Sequence, residues 1–195
     1  MLTGFGKEGL DPRLTWDHEP PRWDVESDGD VLACDVMGGT NYWQRTRHGR
    51  RDDNGHFLAL SITNDFEMTV TVSAMPNTQY DQAGLMIRDS ADCWIKTSAE
   101  YEEPGWSRLG AVVTNHGWSD WSTQNVGDGE RRLRIRRIGG DVIVDAATGT
   151  DPWSQLRVAH LVYAADSVRA GVYACAPRGS GFPVRFRSFA LDTVT

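Results

Sequence analysis

The sequence predicts an all-β protein in which two antiparallel sheets stack face to face. From about residue 30 onward, short runs rich in Val, Ile, Leu, Phe, Trp and Thr are broken roughly every 8 to 12 residues by Gly, Asn, Asp or Pro, a pattern typical of sandwiches and barrels. No window of a dozen residues keeps the 3.6-residue period of an amphipathic helix. About a dozen strands exceed the usual size of one sheet, so we expect two packed sheets.

The predicted strands follow one another without a linker or an internal repeat. Residues 1–15 carry Gly, Pro and charged residues without periodicity, and they are predicted to form an N-terminal arm that is either loose or completes a sheet edge. Residues 16–195 are predicted to form a single sandwich domain. Its strands are expected at residues 31–36, 41–47, 55–62, 65–75, 82–89, 93–102, 107–115, 119–125, 131–138, 141–147, 156–163, 168–175 and 184–193.

The amino-acid composition bears on which kind of molecule the protein binds and on the cellular compartment in which it is expected. The 195 residues include 20 Lys+Arg against 27 Asp+Glu, a net charge of −7, which argues against a nucleic-acid binder. No stretch is long and apolar enough to predict a membrane span, and no apolar run in the first twenty residues predicts a secretory signal. Three dispersed cysteines do not form a disulfide framework, so we expect a reducing, cytoplasmic setting.

The stretch 131–147 predicts a tight hairpin. The pair Gly139-Gly140 is expected to form its two-residue turn, because glycine adopts positive φ at little cost. The preceding strand carries the basic run Arg131, Arg132, Arg134, Arg136 and Arg137. In a chain of net negative charge we interpret this run as a solvated strand face and not as a nucleic-acid surface.

A second hairpin, over residues 82–100, is predicted with a defined register. If Ile87 pairs with Ile95, the small and apolar side chains of both strands share one face, and a slip by one residue would mix apolar with polar positions. The opposite face then receives the pairs Gln82 with Glu100, Gly84 with Ser98, Met86 with Lys96, and Arg88 with Trp94. An amide, a carboxylate, two cations and an indole would thus lie together, with Gly84 leaving room for a ligand to approach.

Lysine usage draws attention to the same face. The chain contains two lysines, Lys7 and Lys96, and uses arginine at its other basic positions. A lysine in the middle of a strand supplies a compact point charge where arginine would supply a planar fork. The alternative is an ordinary surface ion pair between Lys96 and Glu100, which would contribute about 0 to 1 kcal/mol.

Several motifs follow one another along the chain: Trp16 with Glu19, Pro20 and Trp23; YWQRT at 42–46; DNGH at 53–56; YDQAGLMIR at 80–88; WIK at 94–96 with Glu100; VVT at 112–114; SDWS at 119–122; and GVY at 171–173 before Pro177. In content and order they resemble the motifs of the domain-of-unknown-function 1349 family, which is also labelled regulation-of-enolase-like after a yeast member. The resemblance covers about residues 16–191. It implies a concanavalin A-like jelly roll, in agreement with the two predicted sheets, and no settled reaction. The DQAGLM string also resembles, more weakly, the C-terminal domain of some family-43 β-xylosidases.

Sandwiches of this kind bind ligands on a concave sheet face or at its rim loops, an analogy from the fold. The side chains expected to converge there are Trp43, Arg45, His56, Asp81, Gln82, Arg88, Trp94, Lys96, Glu100, His116, Asp120 and Trp121. Indole faces cover the apolar face of a sugar ring, and carboxylates, amides and cations bond its hydroxyls. The mixture therefore predicts a site for a carbohydrate or another polar small molecule.

The leading interpretation is a cytoplasmic lectin-like module that binds such a molecule. The first alternative is a small-molecule enzyme with Glu100, His56 or Lys96 as acid–base residues. A glycosidase of the concanavalin fold is disfavoured, because the Glu-x-Asp-x-x-Glu strand motif is absent. The second alternative is a regulatory protein-binding module, which predicts an exposed apolar patch.

No metal or other cofactor is predicted. The acidic stretches 52–54 and 127–130 lack the spacing of a calcium loop and suit turns, and the cysteines are too dispersed for a zinc site. No phosphate-binding loop or dinucleotide fingerprint occurs. The sequence does not fix the oligomeric state.

Overall fold

A computed structural model of the chain describes residues 1–163 and 165–194. Within these ranges two large antiparallel sheets stack as a sandwich, and the one helical turn is a 3-10 turn at Ser27–Gly29. The strands in chain order are β1 (Leu2–Thr3), β2 (Thr15–Asp17), β3 (Arg22–Glu26), β4 (Val31–Met37), β5 (Tyr42–Gln44), β6 (Arg51–Asp53), β7 (His56–Ile62), β8 (Phe66–Ala74), β9 (Gln82–Ser90), β10 (Cys93–Glu103), β11 (Trp106–Asn115), β12 (Trp118–Val126), β13 (Arg131–Ile138), β14 (Asp141–Thr148), β15 (Ser154–His160), β16 (Val168–Cys175) and β17 (Gly181–Thr193). The predicted jelly-roll sandwich of two antiparallel sheets is confirmed.

The chain crosses repeatedly between the two sheets. The first sheet has the spatial order β15-β14-β13-β8-β17-β4-β3, with β1 added beside β17, and the second has the order β12-β11-β10-β9-β16-β7-β2. Strands β5 and β6 form a separate small hairpin. The core lies between the sheets, where alternate residues point inward, such as Leu85 and Ile87 of β9 against Leu133 and Ile135 of β13.

The register predicted for residues 82–100 is confirmed. Ile87 lies opposite Ile95 in the β9–β10 pair, and Gln82 lies opposite Glu100 at its other end. The second predicted hairpin is also present, since Ile138 pairs with Asp141 around a two-residue turn in which Gly139 has a φ of +59°. Both registers follow from local patterning, because a slip would move apolar side chains out of the core.

Other strands differ from the prediction. Three short strands, at Thr15–Asp17, Arg22–Glu26 and Arg51–Asp53, were not predicted. They are short and rich in polar residues, so alternation of apolar and polar positions gives little signal in them. In the N-terminal segment, Leu2 pairs with Leu191 of β17, so these residues extend a sheet. The ring of Phe5 is fully buried beneath this segment.

The basic run of β13 is divided between the two faces of the first sheet. Arg131 and Arg137 alternate in phase with Leu133 and are buried, contrary to the expectation of a wholly solvated face. They donate to main-chain carbonyls, Arg131 to Gly127 and Arg137 to Gly139. Only the arginines at even positions point outward.

Two further findings concern the cysteines and the search for membrane-spanning helices. The three cysteines are buried and unpaired as thiols. Of the described residues, none belongs to a helix with the length and apolarity needed to cross a membrane.

Candidate functional site

The candidate site lies on the outer face of the second sheet. Along β10 the inward residue Ile95 joins the main core, whereas Trp94 belongs to a separate aromatic cluster on the outer side. Alternation then places Lys96, Ser98 and Glu100 on that outer side too. The face predicted from the sequence therefore exists, and the β5–β6 hairpin divides it into a covered half and an open half.

The covered half is sealed by an aromatic side chain of the hairpin. Tyr42 packs edge-on against Trp94 and Tyr173, with ring centroids 6.2 Å apart in both pairs. Its hydroxyl donates to the Gly55 carbonyl at 2.6 Å. Because Trp94 is 0% exposed, its indole cannot stack on a ligand, which corrects the predicted role of this residue.

Polar contacts hold the hairpin in place. Arg88 donates to Asp53 of β6 at 2.8 Å, and the main-chain N–H of Gln44 donates to Ser119 Oγ at 2.9 Å. The guanidinium of Arg88 is thus occupied inside the protein and serves to fasten the hairpin, not to bind a ligand as predicted.

The open half contains a buried network of three side chains. Lys96, only 2% exposed, donates from Nζ to Gln82 Oε1 at 2.8 Å. The same amide donates from Nε2 to Glu100 Oε2 at 2.5 Å. Gln82 therefore separates the cation from the carboxylate, and the direct surface ion pair considered from the sequence is not the arrangement found.

Two aromatic rings lie beside the ammonium. Lys96 Nζ lies 5.8 Å from the centroid of Trp94 and 5.4 Å from that of Tyr173, within the range of cation–π attraction. The Tyr173 hydroxyl is 3.0 Å from Gln82 Oε1 and 2.9 Å from Ser98 Oγ. The ammonium is fixed in position by groups that carry no negative charge.

Burial changes the acidity of Glu100. This side chain is 8% exposed, and loss of hydration raises its pKa to about 7, against the opposing attraction of Lys96. The neighbouring carboxylate of Glu102 raises this pKa further, while the hydrogen bond from Gln82 and the charge of Arg108 lower it. Near neutral pH the carboxyl group is therefore able to gain or lose a proton.

These groups form the floor of a shallow depression with a cavity volume of about 10 Å³, roughly the space of one water molecule. Its lining includes Gln82, Lys96, Ser98, Glu100, Arg108, Val112, Trp121 and Tyr173. Trp121 is 36% exposed at the rim, with the Arg108 guanidinium 5.8 Å from its ring centroid. Arg108 also forms an ion pair with Glu102, so its charge is already balanced.

Two predicted site residues stand at the hairpin edge beside this depression. Trp43 contacts Trp121 edge-on, with centroids 6.3 Å apart, and its indole N–H donates to the Thr46 carbonyl. Arg45 donates to the carbonyls of His116 and Gly117. Both side chains shape the rim loops, and the exposed side chain of His116 lies on the turn itself.

The structure places three other predicted residues away from the depression. Both ring nitrogens of His56 have main-chain partners, His18 O at 2.5 Å and the Met37 N–H at 3.0 Å, and burial lowers its pKa, so the neutral imidazole is a structural link. Asp81 accepts the N–H groups of Asn77 and Thr78 and shapes their turn.

Asp120 is also separated from its predicted partner. It alternates with Trp121 along β12 and therefore points to the opposite face of the sheet. There its carboxylate forms an ion pair with Arg157 of β15, at 2.9 Å. Asp120 thus links the two sheets at their edge instead of forming a rim with Trp121.

Gly84 does not leave room for a ligand, contrary to expectation. A Cβ at this position would overlap the carbonyl oxygen of Thr97 on the neighbouring strand. The glycine is needed for close approach of the β9 and β10 backbones.

A larger cavity, of about 280 Å³, opens at one end of the sandwich and is lined by residues including Asp81 and Arg131. Its charged groups stabilise loops, since Asp81 fixes the 77–81 turn and Arg131 donates to two main-chain carbonyls. Within the described ranges, no group of three or more His, Cys, Asp or Glu side chains is arranged to hold a metal ion.

Sequence reasoning missed two residues of the depression. Arg108 lies opposite Glu100 in the β10–β11 pair, and extending the hairpin argument by one strand would have found it. Tyr173 lies opposite Gly84 in the β9–β16 pair. No local pattern reveals that contact, because almost ninety positions separate the two residues along the chain.

The fold and site define a concanavalin A-like β-sandwich with a polar depression on the outer face of one sheet. The chain belongs to the family described as "Protein of unknown function (DUF1349)", which it matches over residues 16–194. It is 31% identical over 179 residues to "Regulation of enolase protein 1" of Saccharomyces cerevisiae, an alignment that covers 91% of this chain and 88% of the relative.

Solved structures show the same architecture. A functionally unknown protein from Saccharomyces cerevisiae superposes with a TM-score of 0.85 at 28% identity, covering 94% of this chain and 97% of that one. The GH43 BlXynB protein from Bacillus licheniformis superposes with a TM-score of 0.77 at 14% identity, covering 98% of this chain but 39% of the enzyme. At that identity the likeness to the enzyme shows the fold alone.

Proposed function

We propose that this protein is a lectin-like module that binds a carbohydrate or similar polyhydroxylated small molecule in the depression on the second sheet. The observation that carries the proposal is the Lys96–Gln82–Glu100 network, which is buried yet lines an open depression. Buried cations are usually paired with carboxylates. An ammonium that is held by an amide and two rings has hydrogen-bonding capacity left for a ligand.

The shape of the site supports a sugar as the ligand. Trp121 offers an exposed indole at the rim, on which a sugar ring can stack, while the floor presents an ammonium, a carboxyl group and the Ser98 hydroxyl. Within the described residues, Glu100 Oε1 has no hydrogen-bond partner, since the bond from Gln82 goes to Oε2. The depression is shallow, so it suits the end of a molecule instead of enclosing a whole one.

The proposal is tested by calorimetric titration with a panel of glucose, xylose, galactose, glucuronate and galacturonate. We expect binding of at least one panel member to be lost in Lys96→Met and weakened at least tenfold in Trp121→Ala. Lys7→Met is the matched control, because it removes the other lysine of the chain, which is exposed, and it should bind like the parent protein.

Two outcomes contradict the proposal. One is the absence of binding by every panel member, and the other is binding that neither substitution changes. Trp121 lies at an exposed rim, so Trp121→Ala keeps the test valid even if Lys96→Met fails to fold. Circular dichroism spectra of both variants establish which of them are folded.

The second candidate is an enzyme that uses the same depression. It is favoured by the pKa of Glu100, raised to about 7 by burial, which suits a general acid or base at neutral pH. Incubation with a metabolite extract should then produce mass changes that are lost in Glu100→Gln. Turnover that survives this substitution would exclude Glu100 as the acid–base residue.

A third candidate, regulation through a protein partner, is supported by the name of the yeast relative. The exposed indoles of Trp118 and Trp121 would then lie in the contact. We also propose a cytoplasmic location, which the three unpaired thiols favour.

A further inference from the structure

We infer that the ligand of this depression carries a carboxylate, as a sugar acid does, and that Glu100 takes up a proton when the carboxylate binds to Lys96. This inference rests on the proposed function and specifies its ligand class. It follows from the charges that face the floor, from the position of the amide between them, and from the small size of the depression.

Of the described groups that face the floor, Lys96 is the cation without a carboxylate in direct contact. Arg108 is neutralised by its ion pair with Glu102. Lys96 hydrogen bonds to the neutral Gln82 amide, and in the described part of the chain its ammonium makes no ion pair. Its charge is balanced only at a distance, by Glu100 across that amide, and only while Glu100 is ionised.

The amide cannot rearrange to supply either charge with a better partner. Gln82 Oε1 accepts from Lys96 and lies within hydrogen-bond distance of Tyr173, while Nε2 donates to Glu100 and to the Tyr80 carbonyl. All of its polar atoms are engaged. An anion that approaches Lys96 must therefore come from the depression, where no other described residue accepts a hydrogen bond from the ammonium.

An incoming carboxylate would meet Lys96 as an attractive charge and Glu100 as a repulsive one. Protonation of Glu100 removes the repulsion and supplies an O–H donor for the ligand. The other groups that face Glu100 are Glu102, Arg108, Gln82, Tyr173 and Cys175. The first two form their own ion pair, and burial raises the pKa of Tyr173 and Cys175 above its usual value, so both stay neutral.

A monoanion matches this site better than a phosphate does. One cation without a carboxylate in direct contact balances one negative charge, whereas a phosphate monoester carries about −1.5 to −2 near neutral pH. The second negative charge of a phosphate would find no further cation without a counter-ion among the described residues of the floor, because Arg108 is already paired with Glu102. A carboxylate is also planar and compact, so it fits a shallow floor while the ring to which it is attached remains at the rim beside Trp121.

The test compares glucuronate with glucose, which differ at C6 only, by calorimetry at pH 6 and pH 8. Glucuronate is expected to bind at least tenfold more tightly than glucose at pH 6. Its affinity should fall about tenfold at pH 8, because a group with a pKa near 7 is mostly protonated at pH 6 and mostly ionised at pH 8. Repeating the pH 8 titration in buffers of different ionisation enthalpy should show uptake of about one proton.

The matched variant is Glu100→Gln, which keeps the shape of the side chain and cannot ionise. It should bind glucuronate at pH 8 as tightly as the parent does at pH 6, without proton uptake. Galacturonate and galactose repeat the comparison on a second ring. Glucose 6-phosphate distinguishes the class of anion and is expected to bind less tightly than glucuronate.

Three results would overturn the inference: equal affinity for the acid and the neutral sugar, a preference that does not change with pH, or tighter binding of glucose 6-phosphate. If neutral sugars still bind in a manner that depends on Lys96 and Trp121, the proposed function stands and only the ligand class is wrong. If no panel member binds at either pH, both are wrong.

Discussion

The outer faces of the two sheets both hold cations in partly or fully buried positions, but they balance those charges differently. On the first sheet, Arg134 and Arg136 both donate to Asp145 Oδ2, at 3.1 and 2.9 Å. On the second sheet, Lys96 donates to the amide of Gln82. The arginines are satisfied by carboxylates within the protein, whereas the lysine keeps a charge that faces a depression.

The aromatic neighbours differ in the same way. The guanidinium groups of Arg132 and Arg134 lie 4.9 and 4.7 Å from the Trp153 ring centroid, which completes a stacked and paired surface. The rings beside Lys96, those of Trp94 and Tyr173, are buried, and Tyr42 of the β5–β6 hairpin packs edge-on against both. The two outer faces therefore differ in how a cation is balanced: by a carboxylate in direct contact on the first sheet, and by Glu100 across the Gln82 amide on the second.

The largest loss of stability is expected from replacing Asp145, the carboxylate that Arg134 and Arg136 share on the outer face of the first sheet. Asp145→Asn removes the negative charge that serves both arginines, so the free energy of unfolding should fall by about 3 kcal/mol. Denaturant unfolding measures this change, and ligand binding on the other sheet should stay unchanged. A loss below about 1 kcal/mol would mean that the ion pairs of this face contribute no more than surface pairs do.

Glu100→Gln is expected to raise the free energy of unfolding above neutral pH, whereas Asp145→Asn lowers it. In the unfolded chain a glutamate ionises near its ordinary pKa, while in the folded protein burial delays ionisation to about pH 7. The folded state therefore holds more protons between pH 4.5 and 7, and stability should fall as pH rises through this window. One pKa unit corresponds to about 1.4 kcal/mol, so the full penalty above pH 7 is at most about 3.5 kcal/mol.

The substitution removes most of this penalty. At pH 8 the variant should be about 2 kcal/mol more stable than the parent, and at pH 4 the two should be equal. Denaturant unfolding across the pH range measures both quantities. A parent stability that rises with pH through the same window would show that Glu100 ionises with no penalty from burial.

The smallest loss of stability is expected when an arginine on the outer face of the first sheet is replaced by lysine. Arg134→Lys loses the planar group that donates to Asp145 and stacks on Trp153, so stability should fall by about 1 kcal/mol. The control is Arg22→Lys, an exposed position paired with Asp35, where a change within about 0.5 kcal/mol is expected. If Arg134→Lys and Arg22→Lys lowered stability equally, the planar guanidinium of Arg134 would contribute no more than the ammonium of a lysine.

Local sequence accounted for most of the fold and for half of the site. The β9–β10 register followed from alternation alone, since placing Ile87 opposite Ile95 leaves Lys96 and Glu100 on one outer face. Short edge strands such as Thr15–Asp17 could not be predicted in this way. Few of their positions are buried, so alternation of apolar and polar residues gives no clear signal in the sequence.

The remaining errors have two physical causes. Trp94 and Arg88 were correctly assigned to the outer face, yet Tyr42 and Asp53 of the hairpin cover or bind them. The wrong grouping of Asp120 arose from sequence adjacency to Trp121, although neighbouring residues of a strand point to opposite faces. Contacts across the fold decided the first two cases, and strand alternation decided the third.

The sequence by itself determined the all-β class, the two hairpin registers and the presence of Lys96 and Glu100 on a shared face, because these depend on a two-residue period and on pairing between adjacent segments. Only the tertiary structure decided which half of that face stays open, and that Gln82 and Tyr173 would hold the ammonium in place of a carboxylate. Those arrangements depend on strands that lie side by side only after the chain has folded, and burial, which sets the acidity of Glu100, is a property of the assembled sandwich.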